Sequence, residues 1–290
     1  MPFDLTNSNV EAHGLRGAFL SLYEEGYIMR CLRVERPREW KDARLYVIAD
    51  EHIGDAHHDP QWLDEKMKAI QSDDRAMVIV NGDMLNTALR HSVSDVYSEQ
   101  LSLGEQIEYA TKLLEPIKDK IIAGTIGNHE YRAYKEAGID VMKVVFANLG
   151  ISDRYLCEGG LIFIRMGQNG TDRHGRKNPP KLWYSVYVTH GSGGGRKEGA
   201  KAIRLADMAT TVDADIYIHS HTHMPMILRK CYYRADPYNC TGIMVDRLFV
   251  NTAASLNYGG YGQMYEYSPS SKKSPVITLN GETKTAQATL

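Results

Sequence analysis

Residues 121–130 read IIAGTIGNHE, an apolar run that ends in a cluster of polar groups. The β-branched residues of 121–126 predict a strand that runs into Gly127-Asn128-His129. Two similar stretches lie upstream, where 44–49 runs into Asp50-Glu51-His52 and 76–80 runs into Gly82-Asp83. Ligands of α/β sheets collect at the carboxyl ends of strands, so the three motifs are expected to converge on one edge.

Two more motifs follow predicted strands in the second half of the chain. His190-Gly191 comes after 183–189, and His221-Thr222-His223 comes after 215–218, whereas His219 lies at the strand end and is not counted as a ligand. Glu51 and Glu130 aside, the five motifs supply two carboxylates, one amide oxygen and five imidazoles. This mixture of donors suits Mn, Fe or Zn. There are enough donors for two ions, and paired ions are a recurring device for displacement at phosphorus.

The side chains of the motifs differ in what they offer. Asp50 and His52 are two residues apart and would share one side of an extended chain. The two oxygens of Asp83 can bridge two cations, and Asn128 offers an amide oxygen without adding charge. His129 would face the substrate, where an imidazolium could bind a phosphate oxygen or protonate the leaving group. The predicted catalytic residues are therefore Asp83, Asn128 and His129.

The remaining pattern predicts an α/β protein. The first half alternates strand and helix, with helices at 62–70, 93–117 and 139–149, and a further helix follows at 199–209. The last third favours strands at 226–232, 242–251, 263–267 and 275–279. We expect one domain over 31–290, preceded by an N-terminal extension over 1–30.

The overall composition restricts partners and location. The net charge of -2 over 290 residues provides no global positive field that would recruit nucleic acid. No signal peptide and no apolar run of about 20 residues is evident, so no membrane partner is expected. A cytoplasmic location follows, which would be the host cytoplasm if the gene is viral. The sequence leaves the oligomeric state open.

Several segments could bind the substrate, and each has a simpler structural alternative. The loop 191–197 could cradle an anion with Arg196 and Lys197, or it could be a flexible loop before a basic helix start. The basic loop 167–181 could contact a polyanion, although a solvated hairpin tip is favoured. Tyr131 and Tyr134 could stack on bases, although most such tyrosines pack at the edge of the core.

The motif set resembles the calcineurin-like metallophosphoesterase superfamily over roughly residues 44–255. The family pattern is D-x-H, GD followed by xxN or xxD, GNH with D or E, a lone H, and G-H-x-H. Here it reads Asp50/His52, Gly82-Asp83-Met84-Leu85-Asn86, Gly127-Asn128-His129-Glu130, His190 and Ser220-His221-Thr222-His223. Ser220 departs from the usual glycine, and we expect little effect unless the backbone there needs a positive φ.

The resemblance implies a four-layer αββα sandwich, in which two mixed β-sheets are flanked by helices. It also implies two divalent ions, with Mn expected and Fe, Zn or Ni as alternatives. A hydroxide between the ions would attack phosphorus in line, and Asn86 would lie near the substrate. One ion would be held by Asp50, His52, Asp83 and His223, and the other by Asp83, Asn128, His190 and His221.

Three functions compete on this basis. The first is a phosphodiesterase acting on nucleic acid, DNA or RNA, or on a nucleotide diester. It is favoured by the basic loops and by a resemblance to bacteriophage-borne and prophage-borne members in segments 189–196 and 248–255. The second is a phosphomonoesterase for small phosphates or phosphoproteins. The third is a non-catalytic interaction module, which is disfavoured because all the expected ligands are present.

Overall fold

The computed structural model describes residues 29–90, 92, 96–171 and 174–290, and the strands of this part form two six-stranded sheets. The first sheet contains, in spatial order, β1 (Cys31–Glu35), β6 (Gly159–Met166), β7 (Leu182–Thr189), β8 (Ile216–His219), β10 (Thr241–Asn251) and β9 (Met226–Asp236). The second sheet contains β12 (Ala286–Thr289), β11 (Val276–Asn280), β2 (Asp42–Ile48), β3 (Ala76–Asn81), β4 (Ile121–Thr125) and β5 (Tyr155–Cys157). Both sheets mix parallel and antiparallel pairs.

Helices cover the outer faces of the two sheets. They are α1 (Pro60–Ser72), α2 (Leu103–Leu114), α3 (Asn128–Ala137) and α4 (Val141–Asn148) on the second sheet and α5 (Glu198–Asp207) on the first, and a short helix, α6 (Gly260–Met264), follows β10 in the chain. Short 3-10 helices lie at Glu115–Lys120, Ser152–Arg154 and Met208–Thr210. No helix in the described part of the chain combines the length and the apolar composition needed to cross a bilayer.

Three apolar clusters separate four layers. The first packs α1 to α4 against the outer face of the second sheet, through side chains such as Leu63 and Phe146. The second fills the space between the sheets. The third packs Leu205 of α5 against Tyr217 and Phe249 of the first sheet. The predicted α/β sandwich of two mixed sheets flanked by helices is therefore confirmed.

The direction of the strands brings the motifs to one end of the sandwich. In the second sheet β2, β3 and β4 are parallel neighbours, and in the first sheet β7 and β8 are parallel neighbours. Their carboxyl ends carry the five motifs. β3 is buried along its whole length, as expected of a central parallel strand covered on both faces.

Two of the sequence-based assignments are wrong. The helix predicted over 93–117 begins at Leu103, because Ser102 caps it and Glu105 completes a capping box. The strand predicted over 263–267 is absent, and the end of α6 takes its place. Glu266 has a φ of 56°, a left-handed conformation that a strand cannot contain.

Four elements are additions to the prediction, namely β1, β5, β12 and α3. Of these, α3 matters most for the site, because it begins at Asn128 inside the third motif. The predicted domain division stays a prediction. Cys31–Leu290 forms one compact unit, and the extension over 1–30 lies outside the described residues except for Met29 and Arg30.

Candidate metal centre

The five motifs meet where the two sheets adjoin. Two backbone hydrogen bonds tie the first motif to the second. The amide of Asp50 donates to the carbonyl of Gly82 (3.2 Å), and the amide of His52 donates to the carbonyl of Asp83 (3.0 Å). The third motif joins them through Glu130, whose buried carboxylate accepts from the amides of Asp83, Leu85 and Gly127 at 2.9–3.0 Å. Glu130 therefore holds two motif loops together, a role that sequence reasoning missed.

Three groups of donors could each hold a cation, with the ligand atoms of each group within 4.8 Å of one another. These groups are Asp50/His52/His223, Asp83/His190/His221 and His52/Asp83/His129. Asn128 adds its amide oxygen, which lies 2.6 Å from Nδ1 of His221 and 3.2 Å from Nε2 of His190. All seven side chains predicted as ligands are thus brought together, and Asp83 belongs to two of the groups.

The backbone at these ligands is left-handed. Asp50, His52, Asp83, His221 and His223 all have φ between 48° and 63°. The prediction that Asp50 and His52 share a side because the chain is extended is therefore wrong in its reason, although the two side chains do converge. Non-glycine residues in this region store strain, which a protein tolerates mainly at functional sites.

The orientation of His190 tests whether a cation fits. Its Nδ1 lies 2.7 Å from the carbonyl of Asn81, so Nδ1 donates there and Nε2 is the nitrogen left to bind a cation, an assignment inferred from the partners. That Nε2 faces Oδ2 of Asp83 and Oδ1 of Asn128, both at 3.2 Å. Once Nε2 has lost its proton, its lone pair and the two oxygens converge at a spacing that fits a divalent cation between them.

The electrostatics of the protein without metal are consistent with this fit. Burial opposes charge on His190, but the carboxylates of Asp83 and Asp50 outweigh it and raise the pKa of His190 to about 10. Burial and the neighbouring His190 lower the pKa of His221 to about 4. The buried carboxylates therefore attract one proton, and metal binding would release it because a ligand imidazole must be neutral.

His129 lies at the open side of the centre and differs from the expectation. Its Nδ1 lies 2.9 Å from the carbonyl of Asn86, and its Nε2 lies 3.1 Å from Nη2 of Arg132, which can only donate. Burial, opposed by Asp83, lowers the pKa of His129. Before substrate binds, the arrangement favours a neutral imidazole with its lone pair at Nε2 over the predicted imidazolium.

Both polar groups of the Asn86 side chain already have partners within the protein. Its side-chain oxygen lies 3.0 Å from Nδ1 of His129, and its amide group donates to Glu99. The residue is buried. Its placement favours a role in orienting His129 over the predicted substrate contact.

The predicted basic contacts lie on two different parts of the surface. Arg196 is exposed and stacks on Tyr267, with 5.2 Å from its guanidinium carbon to the ring centre. Lys197 is the N-cap residue of α5. The loop 167–181 joins β6 to β7 at the end of β7 opposite His190. The eight residues of β7 rise about 3.3 Å each, so this loop and His190 lie roughly 26 Å apart. Arg173 of this loop lies outside the described residues.

The first turn of α3 explains why glycine stands at 127. Gly127 is the N-cap, and Asn128 and His129 follow in the first turn, where the helix dipole favours negative charge. A Cβ at Gly127 would lie 2.1 Å from Oδ1 of Asp83 and 2.3 Å from its amide nitrogen. A side chain at this position would therefore displace the carboxylate that two donor groups share.

The variant Gly127→Ala is expected to weaken Mn²⁺ binding by about 10–100-fold, the usual cost of disturbing the support of a metal ligand. Calorimetric titration of the metal-free protein measures this. Gly104→Ala is the matched control, since a Cβ there meets nothing within 4 Å. Equal affinities for the two variants would show that the contact with Asp83 does not matter.

Comparison with known proteins gives one clear match. The model of the family described as calcineurin-like phosphoesterase matches residues 44–225, more than half of the chain. No curated protein matches the sequence.

Solved structures similar to the chain are distant. Wild-type Vps29 complexed with Zn²⁺ from Entamoeba histolytica is 12% identical, with 82% of this chain and 85% of that chain covered and a TM-score of 0.34. A metallophosphoesterase from Sphaerobacter thermophilus is 13% identical, with 86% and 88% covered and a TM-score of 0.38. We draw no functional argument from likenesses this remote.

Proposed function

The chain belongs to the calcineurin-like phosphoesterase family, and from this premise we propose that it is a phosphodiesterase that uses two divalent ions. The family match supports a hydrolase of phosphate esters. Within this function we propose Mn as the ion and nucleic acid or a nucleotide diester as the substrate. We also propose a cytoplasmic location and a relation to bacteriophage-borne members of the family. One observation carries the proposal, namely the convergence of seven donor side chains at one place, six of them buried or half-buried and Asn128 exposed.

We assign the ligands to two ions. Asp50, His52, Asp83 and His223 would hold one ion, and Asp83, Asn128, His190 and His221 would hold the other. The carboxylate of Asp83 is the shared ligand. Bound ions of this kind activate water and offset the charge that develops on phosphoryl oxygens.

Residues of α3 would handle the rest of the reaction. The bond from Nδ1 of His129 to the carbonyl of Asn86 leaves Nε2 as the atom that would take up a proton from solvent when an anionic substrate binds, and would then pass it to the leaving oxygen. The guanidinium of Arg132 lies beside this atom and could bind a phosphoryl oxygen in a fork geometry. The helix N-terminus favours the same negative charge.

The surface of α3 supports a substrate with an aromatic group. Tyr131 and Tyr134 are exposed and stacked, with 5.7 Å between ring centres, and Lys135 lies 5.2 Å from the ring centre of Tyr131. Exposed rings with a neighbouring cation suit bases and the phosphate backbone of a nucleic acid. These rings follow His129 on the same helix, so they favour a nucleotide diester over a simple monoester.

Hydrolysis of bis-p-nitrophenyl phosphate against p-nitrophenyl phosphate tests the proposal, with metal-stripped protein and added Mn²⁺. We expect the diester to be preferred and the activity to be lost when a chelator is added. Preference for the monoester would replace the phosphodiesterase with a phosphomonoesterase. Absence of hydrolysis of either ester, with Mn²⁺ bound, would favour a binding module.

A further inference from the structure

The candidate metal centre is divided between the two sheets. Asp50, His52, Asp83 and Asn128 follow strands of the second sheet, whereas His190, His221 and His223 follow strands of the first. Two of the three donor groups contain residues from both sheets. The spacing of the sheets therefore sets the spacing of the ligands.

A chain of buried hydrogen bonds joins the sheets beside these ligands. Nδ2 of Asn81, at the end of β3, donates to Oγ of Ser220 at 2.7 Å and to the carbonyl of Thr189 at 3.0 Å. Thr125 donates to Oδ1 of Asn81 and Thr252 donates to Oγ of Ser220, both at 2.8 Å. Asn81, Thr125, Ser220 and Thr252 are fully buried, and we name them the inter-sheet network.

The inter-sheet network adjoins the ligands from both sides. The carbonyl of Asn81 accepts from Nδ1 of His190 at 2.7 Å, and the amide of Ser220 donates to the carbonyl of His190 at 2.9 Å. Asn81 precedes Asp83 by two residues, and Ser220 directly precedes His221. Any movement of the network would therefore move ligands of both sheets.

Apolar packing alone would leave this spacing loosely defined. The space between the sheets is otherwise filled by apolar side chains such as Ile79 and Ile218. Burial of apolar area is non-directional, whereas hydrogen bonds fix distances and angles. A metal centre needs its ligands held within about 0.5 Å by supporting residues.

The inter-sheet network explains why serine stands at position 220, where the family pattern G-H-x-H has glycine. Its φ is not positive, so the backbone does not require glycine there. Without its hydroxyl, Nδ2 of Asn81 would lose one of its two acceptors, and Thr252 would lose the acceptor of its hydroxyl. A buried group left without its partner is costly, so the loss would be expected to shift the strands around it.

We propose that the inter-sheet network sets the distance between the two halves of the metal centre, with Ser220 and Asn81 as positioning residues for its ligands. This inference rests on the proposed function, because it assumes that the centre binds divalent ions. The network touches neither the substrate nor the ions. Its effect acts through His190, His221 and Asp83.

The test compares two serine variants of the full chain by calorimetric titration with Mn²⁺ and by chemical denaturation without metal. Ser220→Ala removes the proposed link. Ser185→Ala is the matched control, since Ser185 of β7 also makes two side-chain hydrogen bonds, both to Asp215 at 3.0 Å. We expect both variants to lower the denaturation midpoint, but only Ser220→Ala to weaken Mn²⁺ binding, by about 10–100-fold.

A second pair keeps the test decisive if Ser220→Ala does not fold. Thr252→Val removes one hydroxyl of the network, and Thr252→Ser retains it, so only the first should weaken Mn²⁺ binding. Unchanged affinity in Ser220→Ala, or an equal loss in Ser185→Ala, would overturn the positioning role while leaving the proposed function intact. Absence of Mn²⁺ binding by the unmodified protein would overturn both.

Discussion

Asp83→Ala is expected to abolish metal binding and hydrolysis together. The carboxylate belongs to two of the three donor groups and lies 3.2 Å from Nε2 of His190. It also accepts from the amide of His129 at 2.8 Å, so its loss disturbs the start of α3 as well. The loss of activity should exceed the roughly 10–100-fold loss that follows when a residue supporting a metal ligand is mutated, because here a ligand shared by both ions is removed.

Metal content by elemental analysis and hydrolysis of bis-p-nitrophenyl phosphate measure this effect on the same samples. Asp83→Asn is the companion variant, since it can keep the hydrogen bond to His129 while removing the charge. Asp64→Ala is the control, because Asp64 is an exposed residue of α1 paired with Lys68. An Asp83→Ala protein with two ions and full activity would refute the assignment of the site.

His129→Ala is expected to lower kcat while the metal content stays unchanged. Nε2 of His129 lies 3.9 Å from Asp83, and its other nitrogen is held by Asn86, so the side chain borders the donors without completing an assigned ion site. Loss of a positioned proton donor typically costs about 10²–10⁴-fold in rate.

The effect should depend on the leaving group. An alkyl leaving group needs a proton more than p-nitrophenolate does, so the loss should be larger with an alkyl diester. His174→Ala, on the exposed loop between β6 and β7, serves as the control. A loss of bound metal equal to the loss of rate would instead make His129 a ligand, as the group His52/Asp83/His129 would allow.

The apolar runs that end in polar motifs predict an α/β protein with parallel buried strands, whereas the four layers were an expectation from the family resemblance. The start of α2 was misplaced, since Val96 and Leu101 share the helical spacing without being helical. The start of α3 was missed, because only half of a capping box is present there, the bond from the amide of Gly127 to Glu130. A glycine N-cap offers no side chain, and this weakened the signal.

The identity of the candidate ligands could be predicted, but their support could not. The left-handed backbone at Asp50 and His52 accompanies hydrogen bonds to Gly82 and Asp83, which are distant in sequence. The same holds for Glu130, which accepts from three amides of two motifs, and for Asn81, which looked like the end of an apolar strand. Arg132 was missed because its approach to His129 depends on the helix that places them three residues apart.

The most direct test of the account is a titration of the metal-free protein with Mn²⁺, in which bound metal and hydrolysis of bis-p-nitrophenyl phosphate are followed on the same samples. The account predicts two bound ions per chain, with no hydrolysis before metal is added and full hydrolysis once both sites are filled. Hydrolysis that persists after complete removal of metal, or a folded protein that binds no divalent ion, would contradict it.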